Sequence, residues 1–171
     1  MRHQAIDRAY HWLNALAVVV LMFTGFLPKV GFNFNWIDIH WLSGVFLICL
    51  TLFHIYRAIF KLDTRSMNIG LKDFNLDKNN KYNLLQKLVH IWFSVLILLI
   101  IISGIMMAFK ADVIGVNRNP YILEEQTWGW IYLLHGLVSV MLLAFTMIHI
   151  YFNLRKENRA YLRSMLFNKR S

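Results

Sequence analysis

"HWLSGVFLICLTLFH", residues 40–54, is an apolar run with a histidine at each end. A second run of the same form, "HGLVSVMLLAFTMIH", occupies residues 135–149. Each lies within a longer apolar block, and the chain has four such blocks, at about 9–27, 40–60, 88–109 and 128–152. Each block has roughly the 20 residues that a helix needs to cross about 30 Å of hydrocarbon. The blocks leave too little polar face for a soluble bundle. The chain is 58% hydrophobic and 16% charged, whereas soluble domains carry about 25% charged residues. Arg2 and Arg8 precede the first block, as they would in a signal peptide. No small-residue cleavage site follows it, so it is read as a span. The expected fold is an all-α integral membrane four-helix bundle, a single domain over residues 1–171.

The net charge of +9 would suit a nucleic-acid partner, but its distribution points elsewhere. Arg2 and Arg8 lie at the N-terminus. Arg57, Lys61, Arg65, Lys72, Lys78, Lys81 and Lys87 follow the second block, and Arg155, Lys156, Arg159, Arg163, Lys169 and Arg170 follow the fourth. In a four-span topology these 15 of 18 basic residues share one side. This is the positive-inside pattern, with both termini cytoplasmic and a bacterial inner membrane as the setting. The basic excess also suits anionic lipid. Nucleic acid is not expected as a partner. Trp41, Trp128, Trp130 and Tyr132 fit the outer aromatic belt. The inner loop, about residues 61–86, reads as a short surface helix or irregular chain. Cys49 is the only cysteine, so the chain holds neither a disulfide nor an iron–sulfur cluster of its own.

Six of the seven histidines fall in or at the ends of the spans. Ionisable groups in a bilayer are costly and tend to be functional. Fourteen helical residues rise about 21 Å and fall about 40° short of four full turns. His40 and His54 therefore share a face of span 2 at opposite depths, and His135 and His149 do the same on span 4. His11 begins span 1, and His90 begins span 3, at the inner side. The outer level thus holds two histidines and the inner level four. His11 to Gly25 and His90 to Gly104 repeat the 14-residue interval, so a two-helix hairpin looks duplicated.

Zinc wants about four ligands in one site, and the outer level has two histidines. A haem iron takes two axial ligands. Two bis-histidine b-type haems stacked across the bundle fit the pattern. Covalent c-type attachment is excluded because C-x-x-C-H is absent. Gly25, Gly44, Gly104 and Gly136 suit either a close-lying macrocycle or close helix packing.

"AIDRAYHWLNALAVVVLMFTGF", "IDIHWLSG", "KYNLLQK" and "YLLHG…MIHIY" resemble, in order, the cytochrome b (gamma) subunit of respiratory formate dehydrogenases. The wider family takes in bacterial b561-like cytochromes and the cytochrome b subunits of nickel–iron hydrogenases and thiosulfate-reductase-type enzymes. The resemblance implies that His40 and His135 hold an outer haem and that His11 and His149 hold an inner one; His54 lies outside the family pattern, and the repeat symmetry makes it the alternative partner of His149. It also implies a quinone site (menaquinone or ubiquinone) near the inner haem, with Asn83 matching the family's asparagine and Gln86 close by. His90 lies outside the family pattern. It is read as a quinone-site proton group, a donor to a ligand, or a simply hydrogen-bonded residue. A histidine suits proton transfer near neutrality, its unperturbed pKa being about 6.5. The implied function is an electron-transfer subunit. It passes electrons from a periplasm-facing iron–sulfur subunit, itself fed by a molybdenum, tungsten or nickel–iron catalytic subunit, to quinone. The alternatives are a stand-alone b561-like quinol-linked cytochrome and the cytochrome b of a hydrogenase or thiosulfate reductase. Trp36, Asp38, Glu124 and Glu125 face the side where a partner would dock.

Overall fold

The computed structural model describes residues 5–60 and 84–155. Among the described residues the regular elements are all helical. Helix α1 runs Ala5–Phe26, α2 Trp36–Phe60, α3 Leu84–Lys110 and α4 Glu125–Leu154. All four are long and apolar enough to cross a membrane. Each holds its expected apolar block, α1 all but Leu27, and extends beyond it at one or both ends, because helix persists into the interfacial zone where hydropathy has already dropped. The inner-loop reading for residues 61–83 lies outside the described residues.

The first outer turn is set by local chemistry. Pro28 stands at the start of a short 3-10 turn, Leu27–Val30, where a missing N–H costs little. Gly31 then adopts a left-handed conformation, φ 96°, which glycine accepts without a Cβ clash. Its N–H reaches Pro28 O at 3.2 Å, and Phe32 N–H reaches Leu27 O at 3.2 Å. The second outer connection folds back onto α3. Asn119 N–H donates to Phe109 O at 2.8 Å, and Arg118 Nε donates to Lys110 O at 3.1 Å. Carbonyls that a helix end leaves unpaired are thereby satisfied. Trp41 Nε1 on α2 donates to Ile114 O in the same connection at 2.9 Å.

Packing follows the hairpins: α1 lies chiefly against α2, and α3 against α4. Leu96, Val138 and Leu142 form a buried cluster between α3 and α4, with Met22 of α1 packed against it. Large apolar side chains such as Leu16, Phe23, Leu52, Ile102 and Leu137 are exposed on the outside. A soluble monomer does not tolerate so much contiguous apolar surface; lipid does.

Three residues sit differently from the expectation. Trp128 is not in the lipid-facing aromatic belt but fully buried, because its Nε1 donates to Pro120 O at 2.9 Å under the outer connection. Arg57 and Lys87, counted with the inner loop, are buried within α2 and α3. Arg57 can be buried because its guanidinium meets Asp7 of α1 at 2.8 Å. That contact pins the inner ends of the first hairpin. Its side chains are 10% and 36% exposed, which places the pair between the surface and buried regimes. Asp7→Ala is expected to lower the thermal stability of the detergent-solubilised protein by about 1–3 kcal/mol. Adding Arg57→Met should recover part of that loss. A double variant less stable than Asp7→Ala would show that the pair does not act as a unit.

Candidate functional site

The outer level is built from α2 and α4. His40 and His135 face each other with ring centroids 6.3 Å apart. A metal–imidazole nitrogen bond of about 2.0 Å, with about 1.1 Å from nitrogen to ring centre on each side, places two axial imidazoles about 6.2 Å apart. Direct nitrogen-to-nitrogen hydrogen bonding would draw the centroids in to about 4.9–5.4 Å. The separation suits imidazoles that share a metal and equally an edge-to-face ring contact.

Two buried hydroxyls hold these rings. Thr24 Oγ1 of α1 lies 2.8 Å from His40 Nδ1, and Ser103 Oγ of α3 lies 2.9 Å from His135 Nδ1. The Thr24 hydroxyl donates to Val20 O at 2.8 Å, and the Ser103 hydroxyl to Leu99 O at 2.7 Å. Each hydroxyl proton is thus committed to its own helix, so each oxygen accepts from the imidazole Nδ1–H. That fixes both rings in the tautomer whose Nε2 carries the free lone pair. A partner on the far nitrogen is what orients metal-ligating histidines in general.

Between the two rings and below them lies a cavity of about 450 Å³, within the range of cofactor pockets. His40 and His135 both line it, and so do Gly25, Gly44, Gly104 and Gly136. A Cβ at Gly25 would lie 3.5 Å from His40 Cε1, and one at Gly104 would lie 3.4 Å from His135 Cε1. Both are ordinary van der Waals distances, so these glycines lie against the rings without crowding them. A Cβ at Gly44 would meet nothing within 4 Å, so Gly44 leaves the cavity open. Lys29 and Trp36 line the outer mouth.

The inner level brings its four histidines together in two pairs. His11 of α1 faces His149 of α4 at 6.2 Å. His54 of α2 faces His90 of α3 at 6.1 Å. Asn153 Nδ2 donates to His149 O at 2.7 Å and lies 3.2 Å from His149 Nε2. Tyr10 stacks on His54, with centroids 5.2 Å apart. Asn83 lies outside the described residues, as does the side chain of Gln86, whose backbone is in the first turn of α3. Asp38 lies within hydrogen-bond reach of Asn35 at 3.4 Å, and Glu125 pairs with Lys110 at 2.7 Å.

The hairpin repeat has a fixed register. Adding 79 carries His11, Thr24 and Gly25 of α1 onto His90, Ser103 and Gly104 of α3; adding 95 carries His40 and His54 of α2 onto His135 and His149 of α4. Thr24 and Ser103 meet the outer imidazoles, contacts that the histidine pattern alone does not reveal. Their signal was a hydroxyl immediately before each equivalent glycine.

The described residues hold no group of three or more His, Cys, Asp or Glu side chains able to bind a metal ion. Paired imidazoles beside a glycine-floored apolar cavity therefore suit an iron whose other four ligands come from a macrocycle. The residues present fit haem b. No curated protein and no solved structure gives a significant match to the chain. The family profile described as prokaryotic cytochrome b561 matches residues 2–168, nearly the whole chain. The chain belongs to the prokaryotic cytochrome b561 family and is a haem b-binding, membrane-spanning cytochrome of electron transfer.

Proposed function

We propose that this chain carries electrons across the bacterial inner membrane through two b haems, one per level, from a periplasm-facing iron–sulfur partner to membrane quinone. The observation that carries the reading is the pair of matched imidazole spacings at two depths, His40 with His135 at 6.3 Å and His11 with His149 at 6.2 Å. His135 and His149 are one α4 face apart by about 21 Å, a large part of the hydrocarbon thickness. The bound haems supply one-electron redox chemistry, with potentials tuned by ligands and surroundings. The protein contributes everything else. Thr24 and Ser103 orient the outer imidazoles, and Asn153 sits against His149. The apolar walls exclude water. Lys29 at the outer mouth offers a cation for a carboxylate of the outer cofactor.

On this reading the basic face marks the cytoplasmic side, and quinone is reduced there. Each quinone takes two electrons, delivered one at a time and lost by the partner's iron–sulfur centre, and two protons from the cytoplasm to become quinol. Asn83, Gln86 and His90 are the residues proposed to meet it. The catalytic subunit behind the iron–sulfur partner would be of the formate dehydrogenase kind. The b561 family match also supports a second reading, a stand-alone cytochrome that exchanges electrons with quinol directly. Purification in mild detergent separates the two. A co-purifying iron–sulfur chain supports the partnered form; full reduction of the isolated chain by quinol alone supports the other.

The reading is tested by counting haem per chain. His40→Ala and His11→Ala should each lose one b haem and keep the other, seen in the reduced-minus-oxidised spectrum and by pyridine haemochrome. Undiminished haem in both variants would remove the histidine pairs from the account. Thr24→Val removes the oxygen that accepts from His40 Nδ1–H. Apoprotein titrated with haemin should then show outer-site affinity weakened by about 10–100-fold, and Thr24→Ser should restore it. Equal affinity in Thr24→Val would mean that the hydroxyl does not orient the ligand.

A further inference from the structure

The inner level carries more imidazole than one haem uses. The register that carries α1 onto α3 and α2 onto α4 turns His11 into His90 and exchanges His149 with His54. His11–His149 and His54–His90 are therefore two pairs at one depth. His54 stands six residues before the end of α2 and His90 six after the start of α3, a rise of about 9 Å from the inner helix ends. The surroundings of the second pair do not enclose a large group. Tyr10 covers one face of His54, with ring planes 16° apart, and fixes that half-buried imidazole. His90 is exposed, so a molecule can meet it from outside the bundle.

We infer that His54 and His90 are the proton-delivering pair for quinone reduction, with His90 donating to the quinone oxygen and His54 resupplying His90. This deepens the reading above, in which quinone meets His90 on the inner side, and rests on it. The centroids of His54 and His90 are 6.1 Å apart, beyond the about 4.9–5.4 Å of a direct nitrogen-to-nitrogen hydrogen bond. Two hydrogen bonds of about 2.8 Å meeting at one water put the nitrogens about 4.6 Å apart and the centroids as far as about 6.8 Å. One water therefore spans the pair, and transfer through one water is within the reach of acid–base catalysis. A bare metal ion is a poor occupant, because the described residues add no third His, Cys, Asp or Glu to the pair.

The stoichiometry also suits the pair. Quinone takes two electrons and two protons to become quinol, and the electrons reach it singly from the inner haem. For each electron an N–H bond of His90 breaks and an O–H bond forms on the quinone. A proton from His54 then restores His90 through the bridging water, and water at the inner helix ends restores His54. The pair holds one proton at a time, which avoids two facing imidazolium charges. The other charged and titratable groups around it are Tyr10 and Asp7 of α1, Arg57 of α2, Lys87 of α3 and His149 of α4. Asp7 meets the Arg57 guanidinium at 2.8 Å, so that cation is already paired.

The test is quinol formation by the full-length protein in lipid nanodiscs. The haems are reduced with dithionite, decylubiquinone is added in stopped flow, and haem per chain is counted by pyridine haemochrome. Wild type should hold two haems and reduce the quinone faster at lower pH, where more imidazole is protonated. His54→Gln and His90→Gln should keep both haems, slow quinol formation by about 100-fold and lose that pH dependence. His90→Ala, at an exposed position, should regain rate with added imidazole. A wild-type rate in either glutamine variant overturns the inference. So do slowed rates with the wild-type pH profile and no rescue, which would make the pair an edge-to-face packing contact. Loss of a haem in His54→Gln overturns it as well, because His54 would then be an axial ligand. A wild type that holds two haems and reduces no quinone defeats the underlying quinone reading instead.

Discussion

An imidazole in hydrocarbon must find a partner, and this requirement organises the bundle. Six histidines lie within or at the ends of four apolar helices, where unpaired polar groups are expensive. Each meets another imidazole at 6.1–6.3 Å. Helix–helix association in lipid gains little from apolar burial, since lipid tails are as apolar as leucine. The small buried core of this protein agrees with that. Directional polar contacts and a shared cofactor are left to set the register of one helix against another. The Arg57–Asp7 ion pair does this at the inner end of the first hairpin. The indoles of Trp41 and Trp128 do it at the outer connections.

The outer site shows how the sequence turns this constraint into chemistry. A hydroxyl one residue before a glycine gives two functions to one turn of helix. The hydroxyl returns its proton to its own helix and accepts the imidazole Nδ1–H. The glycine next to it lies against the ring. The result leaves Nε2 of each outer ring free of these hydroxyls, and both rings line the cavity. Ligand orientation of this kind lowers the cost of binding, because the side chains lose little further freedom. The same device appears on α1 and on α3, as expected of a duplicated hairpin.

Much of this was legible in the residues. Four apolar blocks gave the spans, and the 14-residue interval gave the depth and face of the histidines on α2 and α4. Periodicity places a residue on a face of its own helix but does not say which helix lies opposite. Hence the sequence left His11 and His54 as rivals for His149, whereas the packed bundle sets His11 against His149 and His54 against His90. Thr24 and Ser103 were hidden because a hydroxyl bonded to its own helix looks ordinary until its second partner is seen. Trp128 was misplaced because an outer-end tryptophan has the same composition signal whether it faces lipid or roofs a loop. Arg57 was assigned to the loop because a basic residue near a span end usually is solvated, and its partner Asp7 is 50 residues away.

The central claim is that His40 and His135, facing each other from different helices, hold one iron between them. Electron paramagnetic resonance of the oxidised, purified protein tests it most directly, because two strong axial nitrogens force ferric haem into the low-spin state. The account predicts low-spin signals from all the haem present, with the low-spin outer signal lost in His40→Ala and in His135→Ala alike. High-spin ferric haem in the wild type, or a low-spin signal that survives removal of either outer histidine, would contradict it.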